Sequence, residues 1–398
     1  MTFAELNFFQ SNEGRELLKK YGQEDEAALF RLLFSAAKKK EENYYSALVT
    51  LIKLRQKAKE KFSRSGEMFF TTLGLEQATE EKVAELIASR FLPDWKVVDL
   101  TCSIGGNLLS LAKRCRQVVA VDCDHENLIC AQANAQVYGL NEKIEFIEGD
   151  ASKNIIEDAD AFFFDPARDR EGKTKTRSIL NSRPEIIKIL PDLFKITRNV
   201  GIKISPAFDY QELALLPEEP EIEIISVDNN CKVAMLWFGD LKKDKRRASC
   251  FYGLNFCSLA GNDLIAKIPC PEKIEAYLHE PSKAISKAHL IDELAAAYSL
   301  KKISPFSSFL CSDKIIEAES SGFLKTFKLI EYGEFTERNL QTFLKFKKIE
   351  RANIITKNFP LKPEDILKRF RIKEGGDLFL IFTSLRNEKR VYILVEKV

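Results

Sequence analysis

The sequence predicts an α/β protein: a doubly wound, mainly parallel sheet, preceded by a helical region and followed by small α+β modules. Three observations predict this. Short β-rich runs alternate with helical segments from about residue 79 to 205, two further runs lie almost end to end, and apolar residues recur at helical spacing over about 13–62. With 398 residues, the chain exceeds what one hydrophobic core usually supports, so more than one domain is expected.

The helical region carries Leu29, Leu32 and Leu33, then Leu48, Leu51 and Ile52, among many Lys and Glu. The Lys run at 38–40 between two such helices reads as a solvated face. Thr79 with Glu80, Glu81 and Lys82 resembles a helix start, and the α/β part begins there. Its strands are read at 96–102, 117–123, 143–147, 161–164, 200–205, 221–227 and 233–238. Helices between the first five imply parallel pairing through right-handed crossovers, and the last two form an antiparallel hairpin at one edge. The charged stretch 242–247 reads equally as a solvated linker or as an extension of a basic surface, and it marks a boundary, giving regions 1–75, 76–245, 246–320 and 321–398.

The 61 basic residues nearly cancel the 59 acidic ones, for a formal charge of +2, so contact with a polyanion requires local patches. Nine cysteines without a C-x-x-C pair suggest reduced thiols. No apolar run reaches the roughly 18 residues that span a bilayer, and the first residues lack an export signal, so a cytoplasmic protein is expected. The three histidines do not sit at metal-ligand spacing, and no metal is expected.

The chemistry concentrates at strand ends. Val97-Val98-Asp99-Leu100-Thr101-Cys102-Ser103-Ile104-Gly105-Gly106-Asn107 is a buried strand, a turn of small residues and a helix start, a place where backbone approaches a ligand. It contains neither a phosphate-binding G-x-x-x-x-G-K-[ST] loop nor a G-x-G-x-x-G. The next strand ends in Asp122, about 20 residues after the turn, where an acid accepts both ribose hydroxyls of a nucleoside; a helix cap is the alternative role. The third ends in Glu148-Gly149-Asp150, with Asp150 placed for an adenine amino group. A hydride-transfer enzyme is the competing reading, disfavoured by the edge hairpin and by Ser103. The fourth strand ends Phe164-Asp165-Pro166-Ala167-Arg168. There a carboxylate and a backbone carbonyl stiffened by proline can accept from an exocyclic amine, while strand termination is the simpler use. The following loop, 168–177, is rich in cations and suited to phosphate.

These blocks resemble the class I S-adenosylmethionine-dependent methyltransferases with a C-terminal THUMP-like domain, distantly similar to trimethylguanosine synthases. Further matching stretches are Leu75-Glu76-Gln77-Ala78-Thr79, Ile202-Lys203-Ile204-Ser205-Pro206, Leu236-Trp237-Phe238-Gly239, Tyr277-Leu278-His279-Glu280-Pro281 and Asn358-Phe359-Pro360-Leu361. The resemblance implies a seven-stranded Rossmann-like domain, a ferredoxin-like module over 246–320 and a THUMP-like domain over 321–398. It implies S-adenosylmethionine held by Asp99, Thr101, Cys102, Gly105, Asp122, Cys123, Asp150 and Ala151, with Asp165, Pro166 and Arg168 facing the acceptor. It also implies RNA, tRNA or rRNA, as substrate. Ser103 replaces a common glycine of the family, and Ala167 and Arg168 replace a proline and an aromatic. Methylation of a small molecule or protein, and RNA binding without catalysis, remain compatible with the same residues.

Overall fold

The computed structural model describes all residues except 40–41, 154–155, 169–178, 262–267, 306, 317–321 and 386–388. Most of the cationic loop 168–177 and Lys40 of the 38–40 run therefore lie outside the described residues. The chain forms two compact units: Met1–Pro220 with Leu236–Lys243, and Glu221–Met235 with Asp244–Val398.

In the first unit five parallel strands stand in the order Val200–Ile204, Ala161–Phe164, Lys96–Asp99, Gln117–Asp122, Ile144–Glu148. The Val-rich and Phe-rich sequences of these strands suit burial on both faces: Val97, Val98, Val118 to Val121 and Phe162 to Phe164 are all buried. The strand order reverses at Lys96–Asp99, which pairs Val97 with both Val118 and Ala161. At such a switch point the loops leaving adjacent strands diverge and open a crevice at their carboxyl ends. Against the far strand, Gly201 leaves room for Trp237, whose Cζ3 would lie 2.6 Å from a Cβ there. Phe91 packs edge-on against both Trp237 and Phe163, at 6.1 and 6.4 Å between ring centroids.

The helical region comprises Phe3–Gln10, Asn12–Tyr21, Glu26–Lys39, Glu42–Ala58 and Thr72–Gln77. One link to the α/β part is the buried Asn134 on helix His125–Val137. The amide accepts from Phe69 N at 2.7 Å and donates to Phe69 O and Ile104 O, each at 2.9 Å. One side chain thus ties the segment before Thr72–Gln77 to the turn after the first strand. Asn134→Ala strands three buried backbone groups, each costing about 1–3 kcal/mol when unsatisfied. A loss of roughly 3 kcal/mol or more in urea unfolding is expected, and a change under about 1 kcal/mol would show that water replaces the amide.

The hairpin of Glu221–Val227 and Asn230–Trp237, whose residues up to Met235 belong to the second unit, turns at Asp228 and Asn229, both left-handed at φ 47° and 60°. Asp and Asn are the non-glycine residues that best tolerate this two-residue turn. The hairpin was expected at an edge, but Glu221–Val227 is also flanked by Arg246–Tyr252, in parallel, and Asn255–Ala260 follows antiparallel. The stretch 242–247 correspondingly departs from a solvated linker. Arg247 pairs with fully buried Glu221 and with Asp244, and Arg246 with Glu293. Buried carboxylates need such partners, which draws the arginines into the structure.

A second sheet of seven strands runs in the order Lys301–Lys302, Leu310–Ser312, Tyr277–Pro281, Leu324–Glu334, Arg390–Lys397, Leu378–Ser384, Asn353–Thr356. Helices Glu337–Lys347 and Pro363–Phe370 pack on it through Leu340, Phe343, Leu344 and Ile366. His279 is buried between Thr326 Oγ1 at 3.0 Å and Ser312 Oγ at 2.8 Å. Burial lowers its pKa to about 4, so the ring is a neutral brace. Among the described residues no helix is long and apolar enough to cross a membrane.

Candidate functional site

The crevice at the switch point is lined by the loops after the first, second and fourth strands. Asp99 ends the first strand, buried at 1 % exposure. Its Oδ1 accepts from Thr101 N at 3.2 Å, whereas Oδ2 is buried without a hydrogen-bond partner. Burial, with Asp165 and Asp122 nearby, raises its pKa to about 8 despite the Thr101 hydrogen bond.

The turn that follows is held from the second strand. Cys102 N donates to Val121 O at 3.0 Å, and Ser103 N to Asp122 Oδ2 at 2.7 Å. Ser103 adopts φ 48° and Gly105 φ 96°, so a serine here occupies left-handed backbone that glycine adopts freely. Cys102 is buried, and burial raises its pKa well above the ordinary thiol value. It is a packed thiol and not a thiolate nucleophile.

Asp122 Oδ1 also accepts from Asp124 N at 2.9 Å. Burial raises its pKa against the pull of these backbone donors. The cap of helix His125–Val137 is Asp124, which accepts from Glu126 N and Asn127 N. Asp122 is thereby free of the capping role that competed with ligand binding. Cys123 beside it is exposed. Gly149 N donates to Asp122 O at 2.9 Å, bringing the third strand's end alongside. There Glu148 contacts His125 Nδ1 at 2.7 Å, while exposed Asp150 accepts from Ser152 N and Oγ, which lower its pKa. Ala151 is buried behind it.

The first and fourth strands are tied where they part: Asp165 N donates to Thr101 Oγ1 at 2.7 Å. The Asp165 carboxylate forms an ion pair with Lys203, whose side chain is 12 % exposed against 28 % for the aspartate. Lys203 belongs to the fifth strand, and its part in the site is not visible from its sequence neighbours. Ala167 and Arg168 form a short pairing with Ser182 and Arg183, and the Arg168 side chain is outside what is described.

Two further groups were missed by the sequence reading. Thr79 Oγ1 and Asn107 Oδ1 are buried without partners, as is Asp99 Oδ2, and a Cβ on Gly106 would stand 3.3 Å from Thr79 N. Unpaired buried acceptors at the turn are a reason to look for a donor-bearing ligand, and the α-ammonium and ribose hydroxyls of an amino-acid nucleoside fit that donor set. Among chemically plain signals, Thr79 follows the Leu75–Ala78 block and Asn107 follows the glycine pair.

The Asp99 carboxyl gives a pH signature. Its folded pKa of about 8 lies above an unfolded value of about 3.9, so its contribution to stability is present below the unfolded value and lost as pH rises through the folded one. Asp99→Asn is expected to flatten the decline in ligand-free stability between about pH 4 and 8, checked by urea unfolding across that range. Parallel declines in variant and wild type would mean that Asp99 does not titrate there.

Residues 95–186 match the model of the RNA cap guanine-N2 methyltransferase family, and 324–397 that of the THUMP domain-like family. Two uncharacterized S-adenosylmethionine-dependent methyltransferases of Mycobacterium tuberculosis, strains CDC 1551 and H37Rv, are each 27 % identical over 322 residues, 80 % of this chain and 85 % of theirs. A crystal structure from Porphyromonas gingivalis W83, assigned as a methyltransferase, superposes at a TM-score of 0.77 with 22 % identity, covering 96 % of this chain and 97 % of that one. The fold is thus that of a methyltransferase α/β domain followed by a THUMP-like domain. The chain is an S-adenosylmethionine-dependent methyltransferase with a C-terminal THUMP-like domain.

Proposed function

We propose that this enzyme methylates a base nitrogen of structured RNA, tRNA or rRNA, in the cytoplasm. The observation that carries the reading is Asp165: a part-exposed carboxylate at the crevice, its backbone fixed by Thr101 and one oxygen paired with Lys203. The match of 95–186 to RNA cap guanine-N2 methyltransferases spans this site, and the THUMP-like module supports RNA as the substrate class.

When bound, S-adenosylmethionine supplies an electrophilic methyl group on a sulfonium. In this reading Asp99, Thr101, Cys102 and Gly105 hold its amino-acid part, Asp122 its ribose hydroxyls, and Asp150 with Cys123 and Ala151 its adenine. The second oxygen of Asp165 and a carbonyl stiffened by Pro166 accept from the base amine and aim its nitrogen, and Arg168 stacks on the base. Catalysis comes from proximity and orientation, with no covalent enzyme intermediate.

The test is mass spectrometry of nucleosides in RNA from cells with and without the gene, followed by transfer to the unmodified RNA by purified enzyme. One methylated base should vanish without the gene and return in vitro. Unchanged RNA, with methyl transfer instead to a protein or metabolite fraction, overturns the reading.

A further inference from the structure

We propose that the shared C-terminal end of helices Glu337–Lys347 and Pro363–Phe370 is an RNA-backbone docking surface; this rests on the RNA reading above. The stretch 345–373 holds ten Lys and Arg against three acids, in a chain whose formal charge is +2. Two of those acids, Glu364 and Asp365, lie in the first turn of the second helix, away from this end. The local excess is therefore far larger than the global one.

The two helix ends are held together by backbone. Residues Arg351 and Lys373 form a parallel bridge, with Lys373 N donating to Glu350 O at 2.9 Å and Ala352 N to Lys373 O at 3.0 Å. Both helices stop the same way: Lys348 and Arg371 are left-handed at φ 55°, and the buried Ile349 and Ile372 that follow donate back to Leu344 O and Leu367 O. Of the cations gathered here, Lys347 and Arg369 are paired with Glu331 and Glu337. Exposed Lys345, Lys348, Arg351, Lys368, Arg371 and Lys373 make no ion pair among the described residues.

Cations in a last helical turn favourably oppose the helix dipole, and that accounts for one or two per helix. It does not account for Lys348 and Arg371, which occupy the left-handed position where glycine or asparagine is the default. A long cation is kept at this conformationally unfavourable place on both helices. Phe346 lies among the cations at 78 % exposure. Unpaired cations around an exposed ring match a polyanion that carries stackable bases, and this favours RNA over an anionic lipid surface.

The test uses the full chain as a triple variant, Lys348→Gly, Arg371→Gly and Lys373→Gln. Glycine is at ease at the two left-handed positions, so the melting temperature should not fall and S-adenosylmethionine affinity should hold. Affinity for unfractionated tRNA or fragmented rRNA should drop about tenfold or more at low salt, and the log–log salt slope should shrink by about two. Phe346→Ser should cost a few fold with little change in slope. A folded variant that binds RNA with wild-type affinity and slope overturns the docking surface alone. Lost binding to phosphatidylserine vesicles with RNA binding intact overturns it in favour of a membrane. A wild-type chain without RNA affinity at low salt removes the RNA reading itself.

Discussion

Replacing Asp122 with alanine is expected to weaken S-adenosylmethionine binding by about a hundredfold or more, because charge-assisted hydrogen bonds contribute roughly 1.5–3 kcal/mol each and two are lost. The carboxylate already takes Ser103 N and Asp124 N, one on each oxygen, which fixes its plane and leaves a lone pair on each for a ribose hydroxyl. Calorimetry on a variant with wild-type circular dichroism checks this. Since Asp124 and not Asp122 caps the following helix, the substitution should leave that helix start intact. Wild-type affinity in the folded variant would take Asp122 out of the site.

For Asp165, the effect should fall on transfer and not on binding. Asp165→Asn is expected to keep S-adenosylmethionine affinity within a few fold while lowering kcat about a hundredfold or more, the scale of effect when an orienting group is lost. Asparagine keeps the shape and an oxygen toward Lys203, whose mostly buried ammonium would be left without a counter-charge by alanine as well. Single-turnover transfer to RNA separates the two steps. Near-normal turnover would assign Asp165 to strand termination only.

The strands of the sheet were legible because Val-rich and Phe-rich runs buried on both faces leave little choice of element. The reading of 161–164 coincides with the strand, and 117–123 overshoots it by one residue. The acids at strand ends were legible by position. Lys203 was not, since 38 residues separate it from Asp165 and only the sheet order makes their strands neighbours. The stretch 242–247 misled for a related reason: its charge looked like solvent exposure, whereas the compensating carboxylates Glu221 and Glu293 lie 26 and 47 residues away from their arginines. Local composition reports charge but not partnership. Asp122 shows the converse: a helix cap was its alternative role, and the hydrogen bonds give that cap to Asp124.

The interleaving of the two units has a consequence for the order of assembly. Residues Leu236–Lys243 complete the first unit, yet they are synthesised after Glu221–Met235, which belong to the second. Until Trp237 leaves the ribosome, the groove over Gly201 and the flank of Phe91 have no cover, although domains ordinarily fold as they emerge, first one and then the next. Cutting the nascent chain after residue 220 would expose that apolar groove to chaperones. Release after 243 would in turn withhold Arg247 from Glu221, its ion-pair partner in the complete chain. The first unit is therefore completed only after synthesis of the second has begun.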